Sequence, residues 1–133
     1  MIEIQFFGDP RRGLVGMSIL GHAGAGPRGA DLICASATML AYTAAQAVQE
    51  LWEEGRLGEE PTVILKDGEA RLCVCPRRED RARAVQIFRT VQCGARVLAH
   101  NFPQHVRLLP HFCSQQAAKP QAFPFGEGGS PKG

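Results

Sequence analysis

The sequence predicts an α+β domain in ββαββα order: two β-hairpins, each followed by a helix, with a mostly antiparallel sheet and the helices packed on one face. Three observations carry this expectation. Apolar and polar residues alternate in short runs, the runs come in pairs separated by turn residues, and each pair precedes a long segment with apolar residues at helical spacing.

In the first run, Ile2, Ile4 and Phe6 alternate with Glu3 and Gln5, the two-residue period of a strand with one buried face. Gly8, Asp9, Pro10 and Gly13 mark a turn. A second strand fits Leu14 to Gly21, with Val15, Met17 and Ile19 on one side. The stretch Ala23 to Ala30 reads AGAGPRGA, a loop whose glycines leave the backbone free to move. Asp31 then caps a helix reaching Glu54, because its carboxylate can accept from the first free amides. Leu32, Ala35, Met39, Ala47 and Leu51 supply its apolar positions, and Gly55 stops it. Strands at Thr62–Lys66 and Ala70–Cys75 flank the turn Asp67-Gly68. A second helix covers Glu79 to Ala99, with Ala84, Val85, Phe88, Val91, Ala95 and Leu98 inward. Pro103 lies past its end, and Val106–Leu109 forms a last short strand.

The 133 residues fit one domain, assigned to 1–113, followed by a Pro/Gly-rich tail over 114–133 that is expected to be disordered. An apolar content of 44% supports a real core. A net charge of +2 gives no reason to expect electrostatic nucleic-acid binding. Arg77, Arg78, Arg81 and Arg83 cluster, but Glu79 and Asp80 interrupt them, so the run reads as a solvated helix start rather than a basic docking patch. The longest uncharged stretch, Leu32 to Gln49, is 18 residues long, yet Ser36, Thr38, Thr43, Gln46 and Gln49 dilute it. A helix of a soluble domain is the better reading. Glu3 stands where a leader would carry positive charge, so a cytoplasmic, reducing location and five free thiols are expected.

The chemistry concentrates at the first helix. His22 ends the second strand, Cys34 falls in the first helical turn, and the glycine-rich loop joins them. A thiol is a strong nucleophile as thiolate, and helix N-termini favour anions. A nearby imidazole can activate it further. The main-chain amides of Cys34 and Ala35 are candidate donors for the oxyanion of a tetrahedral intermediate. Asp31 pulls two ways: it can order the helix start and orient His22, while its charge opposes a thiolate. The same pattern also fits an inert thiol near a helix start, because cysteine is among the most buried residue types.

The stretch Gly21-His22-Ala23-Gly24, then Gly29, then Asp31-Leu32-Ile33-Cys34-Ala35, resembles the signature of the ribosomal-processing cysteine proteases, the Prp or YsxB-like family. That signature is Gly-His-Ala, a short loop, Gly-x-Asp, two apolar positions and Cys-Ala. The resemblance covers about 100 of the 133 residues, the second half in pattern only. It implies a cytoplasmic bacterial endopeptidase, usually a homodimer. Its substrate would be the large-subunit ribosomal protein L-twenty-seven, whose N-terminal extension is removed by a cut after a Phe-Phe pair. Under this carry-over Cys34 is the nucleophile, His22 the general base and then acid, and Asp31 a supporting residue. Gly21, Gly24 and Gly29 would let the loop move aside for substrate. Thr38 stands where the family commonly has Ser, and Ser36 and Met39 also depart from the expected residue types. No cofactor, metal, membrane or direct nucleic-acid contact is implied.

Other residues were open to competing readings. Cys73 and Cys75 share one strand face, and a metal site would pair them with two of Cys93, His100, His105, His111 or Cys113. No zinc-finger spacing supports that, so they read as core thiols, and the histidines as decoration beyond the second helix. Gln5-Phe6-Phe7-Gly8 resembles the family's cleavage sequence; packing strand aromatics explain it, against a frayed N-terminus occupying a partner's site. A non-catalytic ribosome-associated adaptor with the same fold is the alternative to the protease.

Overall fold

The computed structural model describes residues 1–9, 12–27 and 31–110. Pro10, Gly29, His111, Cys113 and the tail assigned to 114–133 lie outside the described residues. Strands β1 (Ile2–Asp9) and β2 (Leu14–Gly21) precede helix α1 (Leu32–Glu53); β3 (Thr62–Lys66) and β4 (Glu69–Val74) precede a single 3-10 turn at Arg78–Asp80 and helix α2 (Arg81–Asn101). A short β5 (Val106–Leu108) follows. The expected ββαββα order is present, and the strands line up as β3-β4-β2-β1-β5. All pairs are antiparallel except β1 with β5.

The alternation in the sequence becomes the two faces of this sheet. Ile2, Ile4 and Phe6 of β1, Met17 and Ile19 of β2, and Leu72 and Val74 of β4 are buried on the side the helices cover. The register aligns them: Ile4 opposes Ile19, Phe6 opposes Met17, and Met17 opposes Leu72 on its other flank. Each such side chain stabilises the fold by about 1.5–3 kcal/mol relative to exposure.

Helix α1 buries Leu51 as expected but otherwise a different stripe from the one read in the sequence. Ile33, Ala37, Ala41, Ala44, Val48 and Leu51 face inward, whereas Leu32 and Met39 are 76% and 61% exposed. Apolar residues such as Leu32, Met39 and Tyr42 also lie outside the buried stripe, so spacing alone does not select the face. The sheet takes the alanine-rich side, which lets the helix approach closely. Helix α2 has a polar outer face and buries Ala84, Phe88, Val91, Ala95 and Leu98 as expected.

Charged side chains join the end of α1 to the start of α2. The Arg56 guanidinium lies 2.6 Å from the Glu54 carboxylate and 2.9 Å from that of Asp80. Arg77 donates to the Gly55 carbonyl at 2.7 Å, so part of the charge run at 77–83 is spent on this junction. Such exposed pairs contribute about 0–1 kcal/mol each. Among the described residues, no helix is long and apolar enough to cross a membrane.

Candidate active site

Asp31 organises the site through its carboxylate. One oxygen accepts the N–H groups of Ile33 and Cys34 at 3.0 Å each, the geometry of an N-cap. The other oxygen accepts the Ala25 N–H at 3.0 Å. One side chain therefore starts the helix and ties down the loop. Burial opposes its ionisation, but the amides of Cys34, Ala25 and Ile33, with the Cys34 thiol, outweigh it and hold the carboxyl below its ordinary range. Both carboxylate oxygens thus accept from main-chain amides.

The cap places Cys34 one turn into α1, half-buried. Its sulfur accepts the Ala23 N–H at 3.2 Å. The Cys34 and Ala35 amides, the expected oxyanion donors, both have partners in this structure. The Cys34 N–H already donates to Asp31, and that of Ala35 donates to the Asp31 carbonyl at 3.0 Å. Helix formation consumes both. The amide facing the sulfur comes instead from Ala23, across the loop.

His22 is exposed at the end of β2 and lines the same groove as Cys34. Gly21 before it has φ +97°, and a Cβ there would collide with the Met1 carbonyl oxygen, so only glycine lets the strand turn out at this point. The Gly21 N–H donates to the Gly68 carbonyl at 2.9 Å, which fastens the strand end to the β3–β4 turn. Gly68 was readable in the sequence as a turn residue alone, yet the His22 ring lies directly over it. Gly24 also has positive φ.

The groove holds about 300 Å³. Cys34, Ala37, Thr38, Ala41 and Tyr42 of α1 form one wall, and Leu65 through Ala70 of the second hairpin form the other. Ile2 and Ile19 contribute apolar surface, while Lys66, Asp67 and Glu69 bring charge to the hairpin side. Thr38 lies in the groove, but its hydroxyl donates to the Cys34 carbonyl at 2.8 Å and so serves the main chain.

Among the described residues, the other thiols sit elsewhere. Cys73 and Cys75 are half-buried, with Val74 buried on the opposite sheet face. Burial, then the neighbouring Cys75 and Glu59, push the Cys73 thiol up. His105 is no mere decoration after α2, because its Nδ1 lies 2.9 Å from the Ala23 carbonyl oxygen. Among the described residues, no group of three or more His, Cys, Asp or Glu side chains is placed to hold a metal ion.

The family model for cysteine protease Prp matches residues 1–107. Two structures of the ribosomal processing protease Prp from S. aureus share the fold. The one in complex with a covalently linked product peptide is 21% identical, with 81% of this chain and 97% of that chain covered and a TM-score of 0.60. The one in complex with a substrate peptide is 20% identical, with 84% and 99% covered and a TM-score of 0.59. The protein SMU.848 from Streptococcus mutans is 22% identical, with 81% and 91% covered and a TM-score of 0.58. No curated protein matches the chain significantly.

Proposed function

The chain belongs to the cysteine protease Prp family, and from that premise we propose that it removes the N-terminal extension of the large-subunit ribosomal protein L-twenty-seven, cutting after a Phe-Phe pair. The observation that carries the reading is the placement of the Cys34 sulfur, which faces the Ala23 N–H at 3.2 Å in the groove that His22 also lines. The S. aureus relative is described with a substrate peptide and with a covalently linked product peptide, which supports a peptide substrate here. Tyr42 and Leu65, exposed on opposite walls of the groove, offer the apolar surface that a phenylalanine pair needs.

His22 takes the Cys34 proton, and the thiolate attacks the scissile carbonyl carbon to give a tetrahedral oxyanion. Collapse of that intermediate breaks the C–N bond, and His22 returns the proton to the departing amine. Water, deprotonated by His22, then attacks the thioester and releases the acid product and the Cys34 thiol. Acid–base assistance of this kind is worth about 10²–10⁴-fold, so His22→Ala should lose about that factor in turnover. The helix N-terminus and the Ala23 amide favour the anionic sulfur. The loop after Ala23, where Gly24 takes a positive φ, moves aside for the chain to enter. The enzyme acts in the cytoplasm as a homodimer, which sedimentation measurements check.

The test is a peptide containing Leu-Gln-Phe-Phe-Ala, incubated under reducing conditions with the protein and with Cys34→Ala. Cleavage after the second Phe that vanishes in the variant is expected. An intact peptide in both would leave the non-catalytic adaptor as the better account.

A further inference from the structure

We propose that His105 is a positioning residue for Cys34, acting through both polar groups of Ala23. Ala23 is buried in the loop. Its N–H donates to the Cys34 sulfur at 3.2 Å, while its carbonyl oxygen lies 2.9 Å from His105 Nδ1. A carbonyl can only accept, so this ring nitrogen carries the hydrogen and donates it. The residue between them is held on both sides, one contact fixing each of its two peptide planes.

His105 can do this because the sheet edge holds it. The Ile2 N–H donates to the His105 carbonyl at 2.8 Å, and the His105 N–H donates to that of Phe102 at 3.0 Å. The parallel pairing of β5 with β1 begins at the next residue, Val106 opposite Ile2. The imidazole therefore projects from a rigid strand start onto an otherwise glycine-flanked loop. A donor that is already aimed at the sulfur costs no reorganisation when charge develops there. His105 makes no contact with substrate in this account. It keeps the Ala23 amide aimed at the sulfur.

The inference rests on Cys34 chemistry, so the experiment reads the thiol directly as well as turnover. His105→Ala removes the ring; His105→Phe keeps its volume and removes only the N–H, which guards against a general loss of packing. His105→Asn restores a side-chain N–H at similar reach. Two quantities are measured in each: the rate of Cys34 alkylation by iodoacetamide at neutral pH, resolved by peptide mapping, and kcat and KM for the Leu-Gln-Phe-Phe-Ala peptide. The expected result is a fall in alkylation rate of about threefold or more and in kcat of about tenfold in Ala and Phe. KM should stay within about twofold, and Asn should recover most of both losses. Unchanged alkylation and kcat in the Phe variant, or a loss that Asn fails to recover, overturns the proposal. Turnover that survives Cys34→Ala would instead remove the reading beneath it, a separate outcome.

Discussion

The imidazole of His22 rests on the bare α-carbon of Gly68, where an added Cβ would come within 2.8 Å of Nε2. Gly68 also has φ +74°, a conformation that costs an L-residue about 1–2 kcal/mol. Gly68→Ala should therefore lower stability by about that amount and displace the ring. Small misplacements of a reacting group are expensive, on the order of 10²-fold for about 1 Å. The expected outcome is a Tm lower by several degrees together with a fall in kcat/KM of about tenfold or more, measured on the same preparation. Wild-type turnover in this variant would mean that the ring does not use this seat.

Asp31 makes acid sensitivity a local property of the site. Its carboxyl titrates below the ordinary range because three amides, with help from the Cys34 thiol, outweigh the effect of burial. A depressed folded-state value means that its contribution is complete above the unfolded-state value and lost as pH falls through the folded one. Asp31→Asn should leave the protein less stable near neutrality and flatten the acid limb of a stability–pH curve below about pH 4. Asp31→Ala, with no cap acceptor, should cost about 1 kcal/mol at neutral pH. Urea denaturation from pH 7 to pH 3 checks both, and parallel acid limbs in wild type and Asn would contradict the assignment.

Thiol reactivity should divide by environment. Burial raises the Cys73 thiol, and thiolate, not thiol, reacts with iodoacetamide. At pH 7 Cys34 should label well before Cys73 and Cys75, while exposed Cys93 labels as an ordinary accessible thiol. Mass-resolved time courses read the order. Equal rates at Cys34 and Cys73 would argue against an activated sulfur.

The Gln5-Phe6-Phe7-Gly8 stretch should survive intact. Phe6 is 1% exposed, and β1 is paired with β2 along its length and with β5 at its start. Cutting there requires the sheet to open. Intact mass after prolonged incubation at high concentration should show no product ending at Phe7. Phe6→Ala should cost about 3–5 kcal/mol in chemical denaturation, as expected of a core aromatic.

Local chemistry was readable in the sequence wherever one residue answers to its neighbours. The alternation of Ile2, Ile4 and Phe6, the Asp31 cap and the Asp67-Gly68 turn all appear where the residue types require. What sequence could not show depends on distant parts of the chain. The buried face of α1 is chosen by the sheet, because apolar residues lie outside the buried stripe as well as in it. The roles of Gly68 beneath His22 and of His105 beside Ala23 arise only when residues 46 and 82 positions apart come together. The state of the Cys34 and Ala35 amides is hidden for a related reason. Counting amides at a helix start does not reveal that Asp31 takes them.

The two groups assigned to the chemistry ride on different layers, His22 on the sheet and Cys34 on the helix above it. Between those layers, the inward side chains of α1 after Ile33 are Ala37, Ala41 and Ala44 near the thiol and only later Val48 and Leu51. The mortar is thinnest at the working end. Amide exchange should therefore run faster in the first turns of α1 than in its last, and warming should silence the enzyme before its sheet dissolves. Selection for a sturdier protein would have to thicken that seam without changing how far apart it keeps its two reactive side chains.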